Sequence, residues 1–129
     1  MGDRERVEEL LQRCGPEFTV LSGDDPSCLR AMKLGAHGVI SVASNVAPGQ
    51  MHRMCAAALA GDWALAEEQN SRLLALYDAL ALETNPIPVK WAAYELELAG
   101  PGIRLPLTPL DEVHRGRLKE TLADLGLTP

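Results

Sequence analysis

Two short apolar segments, at positions 18–22 and 38–42, constrain the fold of this chain more than any other feature. They read Phe-Thr-Val-Leu-Ser and Gly-Val-Ile-Ser-Val, and both have the β-branched and aliphatic character of buried strands. Between them, Asp25 followed by proline is predicted to begin a helix that ends near Gly35. A strand, a helix and a strand in so short a stretch form a βαβ unit, so the two strands are predicted to be parallel.

A parallel sheet of two strands leaves both of its edges unpaired. Sheets of this type occur as parts of larger α/β layers or barrels, with helices over both faces. Beyond Asn45 the sequence gives no further strand signal of this kind, and residues 103–107 are expected to be extended. We therefore expect the chain to be part of a larger α/β fold, whose other strands would cover segments 18–21 and 39–42.

Five further helices are predicted from apolar residues at helical spacing, with glycine or proline at their limits. Thr108 and Asp111 fit a capping box at the start of the last one, and Asp25 is predicted to be the N-cap of the helix between the strands. The five helices run from Asp3 to Gly15, from Pro48 to Gly61, from Asp62 to about Glu83, from Pro88 to Gly100 and from Thr108 to Gly126. The residues expected to face inward include Val7, Leu10, Leu11, Cys14, Met51, Met54, Cys55, Ala58, Leu59, Trp63, Ala66, Leu73, Leu76, Tyr77, Leu80, Trp91, Tyr94, Leu98, Val113, Leu118, Leu122 and Leu125.

Charge and cysteine content exclude several classes of protein. The 129 residues carry a formal net charge of −6 with no basic block, which argues against a nucleic-acid partner. The longest uncharged stretch, residues 34–52, is interrupted by glycine, histidine, asparagine and proline, so no membrane span is expected. The charged N-terminus does not resemble a signal peptide, and three widely spaced cysteines are typical of reduced thiols, so a cytoplasmic location is expected.

Five motifs, in order and spacing, resemble the dihydrodipicolinate synthase (4-hydroxy-tetrahydrodipicolinate synthase) family. They are Leu21–Asp25, Gly35–Val42, Asn45–Ala47, Asn85–Trp91 and Leu105–Pro109. Together they cover nearly all of this sequence but only the C-terminal part of the family's chain. Met1–Asp3 resembles the position just after the sixth barrel strand, so the first six strands would precede this sequence.

The resemblance implies an α/β fold, the C-terminal portion of a (β/α)₈ TIM barrel followed by a helical extension. Residues 18–22 and 38–42 would be the last two parallel strands. Residues 1–46 would form the last barrel βα units, and residues 47–129 the final barrel helix with the extension. The activity implied is that of a class I aldolase of lysine and diaminopimelate biosynthesis, which condenses pyruvate with aspartate semialdehyde through a lysine Schiff base. Such a lysine imine needs no metal or organic cofactor. A homo-oligomer is also expected.

Gly23 and Ile40 are the substrate-binding residues that the resemblance places in this sequence. Both would line the pyruvate pocket at the C-terminal ends of the strands, Ile40 chiefly through its backbone. The alternative is that Gly23 is a turn residue and Ile40 a core residue. The family's Schiff-base lysine and proton-shuttling tyrosine would lie upstream, so no catalytic residue is predicted here, and the chain alone is expected to be inactive. Lys90 is interpreted as a structural lysine.

Other groupings of reactive side chains carry weaker signals. Asp24 and Asp25 could be paired carboxylates, but adjacent residues seldom point at one atom, so capping is the preferred interpretation. His52 and Cys55 would offer only two metal ligands, and zinc sites need at least three, so no metal site is expected.

Two other functions stay open. The chain could be a non-catalytic helical module that covers its strand edges by self-association, or a fragment of another pyruvate-dependent aldolase.

Overall fold

The computed structural model describes residues 4–129, and within them the chain is largely helical. The six α-helices are α1 (Arg4–Cys14), α2 (Asp25–Lys33), α3 (Pro48–Leu59), α4 (Trp63–Leu80), α5 (Ile87–Glu95) and α6 (Glu112–Asp124), with a 3₁₀ turn at Ala43–Asn45. All six predicted helices are therefore present. Met1–Asp3, which the resemblance places just after a barrel strand, lie outside the described residues.

The two predicted strands do not form as strands within residues 4–129. Segments 18–22 and 38–42 meet at one parallel bridge, between Ser22 and Val39. The parallel direction is confirmed, whereas pairing along the full predicted length of either strand is not seen among the described residues. The reason is physical, because a strand extends only where a neighbour accepts and donates its backbone hydrogen bonds. Residues 103–107 form a loop that contains a turn.

The hydrophobic core lies among helices α2 to α6 and the turn at Ala43–Asn45. Helix α4 is central and packs against α2, α3, α5 and α6. Its residues Leu73 and Leu76 are fully buried, as are Met54 of α3 and Leu118 of α6. Two ion pairs join helices at the surface, one from Lys33 to Glu67 and one of 3.1 Å from Lys119 to Glu95. Helices α2 to α6 thus share one hydrophobic core, to which α2 contributes Cys28, Leu29 and Met32.

Glycine ends several helices at the predicted positions. Gly35 follows α2 with φ 112°, and Gly61 follows α3 with φ 77°. Both angles lie in the left-handed region, where a side chain is costly and glycine is not. Gly61 therefore separates α3 from α4 cleanly, and Asp62 begins the next helix by accepting from the backbone N–H of Leu65 at 3.1 Å.

Two predicted helix caps are wrong by one and three residues. Asp24, rather than Asp25, is the N-cap of α2 and accepts from the backbone N–H of Ser27 at 3.0 Å. Asp111, rather than Thr108, is the N-cap of α6 and accepts from the N–H of Val113 at 3.0 Å. In each case the aspartate that begins the helix is the one whose carboxylate can reach the first free amides.

Several residues predicted to face inward are exposed instead. Helix α1 has no buried residue. Leu59, Tyr94, Leu98 and Val113 are all exposed to solvent. The helical period identifies an apolar face, but it does not reveal whether another element covers that face. No helix among the described residues is both long and apolar enough to cross a membrane.

Candidate functional site

The bridge brings the segments that carry Gly23 and Ile40 side by side. The backbone N–H of Ser22 donates to Gly38 O at 2.9 Å, and the N–H of Ile40 donates to Ser22 O at 2.8 Å. The N–H of His37 donates to Val20 O at 2.8 Å, which adds a third bond in the same parallel pattern. Gly23 follows Ser22, so both predicted positions lie at the same end of the pairing.

The side chains at this edge point largely into solvent. Ile40 is 69% exposed and Phe18 57% exposed. Apolar side chains of this size are usually buried, and several in one place mark a surface that another element covers. At Gly23 a built Cβ atom would meet nothing within 4 Å. The described residues of this chain therefore do not bury the Ile40 side chain.

The turn after Ser22 is fixed by its own side chains. Ser22 Oγ donates to Asp24 O at 3.0 Å and accepts from the N–H of Asp24 at 3.2 Å. Asp24 in turn caps α2. Gly23 is therefore held between the bridge and the start of a helix, and Asp24 is occupied as a cap rather than available for acid–base chemistry.

Asp25 makes the contact that sequence reasoning missed. Its carboxylate Oδ2 accepts from the backbone N–H of Val42 at 3.0 Å and from that of Ala43 at 2.8 Å. The residue is 7% exposed, and Oδ1 has no hydrogen-bond partner. A signal existed in the sequence, since Asp24 and Asp25 are adjacent and a helix start needs only one of them as its cap.

Two clefts lie on either side of this region. One, of about 310 Å³, is lined by Gly23, Asp24, Asp25, Pro26, Val42, Tyr77, Leu80, Ala81, Glu83 and Asn85. The other, of about 390 Å³, is lined by Ile40, Ser41, Val42, Asn45, Asn85, Pro86, Val89, Lys90, Ala93 and Ala99. The structure thus places Gly23 and Ile40 in the walls of adjacent clefts. Lys90 shares the second cleft with Ile40, but it is exposed rather than desolvated.

The buried side chains of Cys28 and Tyr77 and the half-buried thiol of Cys55 lie within electrostatic range of Asp25. Burial raises the pKa of the Cys28 thiol to about 12, with smaller contributions from Cys55 and Asp25. Burial also raises the pKa of Cys55 and that of Tyr77, and the Asp25 charge adds to both effects. All three cysteines are free thiols. Because the thiolate is the reactive form, Cys28 is suited to packing and not to nucleophilic chemistry.

A family model described as "Dihydrodipicolinate synthetase family" matches residues 1–125. This chain belongs to the dihydrodipicolinate synthetase family.

Relatives within the family share both sequence and backbone with this chain. A 4-hydroxy-tetrahydrodipicolinate synthase of Halorhodospira halophila is 51% identical over 126 residues, which are 98% of this chain and 42% of the relative. The crystal structure of dihydrodipicolinate synthase from Aquifex aeolicus matches with a TM-score of 0.96 at 42% identity, over 98% of this chain and 43% of that one. The chloride-inhibited dihydrodipicolinate synthase from Acinetobacter baumannii, complexed with pyruvate, matches with a TM-score of 0.93 at 44% identity, over 98% of this chain and 44% of that one.

The chain spans about two-fifths of the length of the relatives that it matches. It is accordingly a fragment of the family's barrel fold. This agrees with the exposed apolar edge at Phe18 and Ile40, since both belong to segments that a barrel would flank with further strands.

The described residues do not assemble the ligand set of a metal site. Within residues 4–129, no group of three or more His, Cys, Asp or Glu side chains lies close enough to hold a metal ion. His52 is exposed and Cys55 half-buried on the same helix. Of the three lysines in the sequence, Lys33 and Lys119 form ion pairs, and Lys90 lies on the surface.

Proposed function

We propose that this chain supplies the C-terminal part of a dihydrodipicolinate synthase-like class I aldolase, a lyase of lysine and diaminopimelate biosynthesis in the cytoplasm. The reaction is the condensation of pyruvate with aspartate semialdehyde. The single observation that carries the proposal is the family match over residues 1–125, on a chain whose apolar bridge edge faces solvent. A relative solved in complex with pyruvate supports the choice of the first substrate.

In this proposal segments 18–22 and 38–42 are the last two barrel strands. Residues 1–46 contribute barrel βα units, and residues 47–129 contribute the final barrel helix and a helical extension. The parallel bridge at Ser22 supports the placement of the two strands, and one hydrophobic core joins α2 to the later helices. The pocket for pyruvate lies at the C-terminal ends of the strands, where barrels place their active sites. Gly23 and Ile40 border it, Ile40 through its backbone.

The proposed reaction requires a lysine amine at the C-terminal end of a barrel strand. The three lysines of this chain all lie in helices. A lysine amine condenses with the carbonyl of pyruvate, releases water and leaves an imine. Loss of a methyl proton gives an enamine, whose carbon attacks the aldehyde carbon of the second substrate. The imine itself withdraws the electrons, so no cofactor is called for. The lysine and the tyrosine that moves protons are proposed to come from the preceding barrel part.

This chain alone should therefore bind pyruvate without forming a covalent adduct, or not bind it at all. The measurement is mass spectrometry after treatment with pyruvate and borohydride, which reduces an imine to a stable amine. We expect no added mass. Covalent trapping of pyruvate at Lys33, Lys90 or Lys119 would refute the proposal that the imine-forming lysine comes from the preceding barrel part.

The positive test joins this chain to the part of the Halorhodospira halophila relative that precedes the matched region. We expect the joined protein to form an oligomer and to condense pyruvate with aspartate semialdehyde, while this chain alone does neither. A joined protein that folds but shows no condensation would refute the proposed function. A stable oligomer of this chain alone, unchanged by the preceding part, would instead support a non-catalytic self-associating module.

A further inference from the structure

A buried carboxylate links the two loops that border the proposed pocket. We propose that Asp25 is a positioning residue, which fixes the separation between Gly23 and Ile40 by holding the backbone of residues 42 and 43. The importance of that separation for pyruvate rests on the proposed function. The link itself is a property of this chain and can be tested without it.

The two segments are held together at two places, one on each side of the predicted pocket residues. On the near side, Ser22 O accepts from the N–H of Ile40 at 2.8 Å. On the far side, Asp25 Oδ2 accepts from the N–H groups of Val42 and Ala43 at 3.0 and 2.8 Å. Gly23 lies between Ser22 and Asp25, so neither segment can shift without breaking one of these links.

The far link completes the capping of the turn at Ala43–Asn45, in which Ser41 Oγ accepts only from the N–H of Ser44, at 2.9 Å. Helical turns begin with backbone N–H groups that have no partner within the turn. The residue at the N-cap position is Val42, which makes no side-chain hydrogen bond to the turn. Asp25, from a different segment, supplies the acceptor for the two preceding N–H groups, those of Val42 and Ala43.

Burial makes this link strong and specific. Ala43 is fully buried and Asp25 is 7% exposed, so water cannot easily replace the carboxylate. Hydrogen bonds to an ionised acceptor are roughly twice as strong as those between neutral groups. Asp25 is itself held in place, because it is the first residue of α2 and follows the Asp24 cap.

The first test measures amide hydrogen exchange in the 129-residue chain with Asp25→Ala. We expect amide exchange at Val42 and Ala43 to accelerate by about 10-fold to 100-fold. This ratio corresponds to the free energy that a hydrogen bond to a charged group contributes. Asp25→Asn keeps one acceptor oxygen and should restore part of the protection. Asp62→Ala is the matched control, because it removes the α4 cap without touching this region. Unchanged exchange at residues 42 and 43 in a folded Asp25→Ala chain would overturn the proposal, as would equal acceleration in the control.

The second test places the same variants in the protein joined to the preceding part of the relative. We expect Asp25→Ala to raise KM for pyruvate by about tenfold with a much smaller change in kcat, since the imine-forming amine lies elsewhere. Asp25→Asn should fall between, and Asp62→Ala should leave KM unchanged. Equal loss of kcat and unchanged KM would overturn the positioning role. If the joined protein is inactive with Asp25 intact, the proposed function fails, and the exchange rates alone decide whether Asp25 holds the loops together.

Discussion

Replacing one isoleucine at the bridge edge and one in the core, each with threonine, should have very different costs. Threonine keeps the β-branch, so the comparison isolates the loss of apolar contact from any change in backbone preference. Ile40 is 69% exposed, whereas Ile87 at the start of α5 is 7% exposed. Full burial of an isoleucine side chain is worth about 1.5–3 kcal/mol. About a third of that, roughly 0.5–1 kcal/mol, is available at Ile40.

At Ile87 the same substitution replaces a buried ethyl group with a hydroxyl group, so apolar contact is lost and a polar group is buried. We expect Ile87→Thr to lower the free energy of unfolding by about 2–4 kcal/mol. The assay is urea denaturation followed by circular dichroism, with the slope checked for equality between variants so that the midpoints can be compared. The two losses should differ by about 2 kcal/mol.

Two results would refute this reasoning. Equal losses for Ile40→Thr and Ile87→Thr would mean that the bridge edge is covered in solution. A loss at Ile40 that grows with protein concentration would show that another copy of the chain covers it, because association stabilises the folded state by mass action. Sedimentation at the same concentrations would then reveal the oligomer.

Three further predictions follow from the thiols and from Gly23. An alkylating reagent at neutral pH should modify exposed Cys14 first, half-buried Cys55 more slowly and buried Cys28 only after unfolding. Mass spectrometry gives the order of modification, and rapid modification of Cys28 in the folded chain would contradict its burial. Burial raises the pKa of Cys28 to about 12 in the folded chain, against about 8.5 for a free thiol. The unfolded chain therefore loses the thiol proton more easily than the folded chain, so the free energy of unfolding is unaffected below about pH 8.5 and falls as the pH rises towards 12. Urea denaturation at several pH values should show this decline, and Cys28→Ala should make it shallower. Gly23→Ala should change the free energy of unfolding by less than about 0.5 kcal/mol, because a Cβ there meets nothing within 4 Å; a larger loss would mean that the turn is tighter in solution.

Most of the helical framework could be predicted from local signals. Proline and glycine mark helix limits whatever the tertiary environment, and Gly61 duly separates α3 from α4. The βαβ direction was also predictable, because a single crossover helix carries the chain back to the end where the first strand began, so the second strand runs parallel to it. The bridge at Ser22 is parallel as expected.

What could not be predicted depends on contacts between distant segments. The length of a strand depends on its neighbours, so the sequence of residues 18–22 alone could not reveal that pairing stops at one bridge. Val113 in α6 and Leu98, which lies beyond the end of α5, both face solvent, since no other described element covers them. The role of Asp25 required knowing that Val42 and Ala43 lie next to the start of α2.

The candidate site shows the same difference between features that depend on local sequence and features that depend on contacts between distant segments. The placement of Gly23 and Ile40 on neighbouring segments could be anticipated from the order of motifs, because parallel strands end at the same side. Their roles in binding pyruvate remain predictions. The carboxylate that holds the two loops was not anticipated, since a local rule for helix caps already accounted for an aspartate at that point.

The packing of the helices and the exposed edge at the bridge involve separate sets of apolar residues in this chain. Leu73 and Leu76 hold the helices to one another, whereas Phe18 and Ile40 face outward at the bridge. Substitutions at Leu73 or Leu76 can thus change the melting temperature and leave the exposed edge unaltered. Substitutions at Phe18 or Ile40 can change the surface at the bridge and leave the packing of the helices unaltered. Evolution, or a protein engineer, can tune these two properties independently.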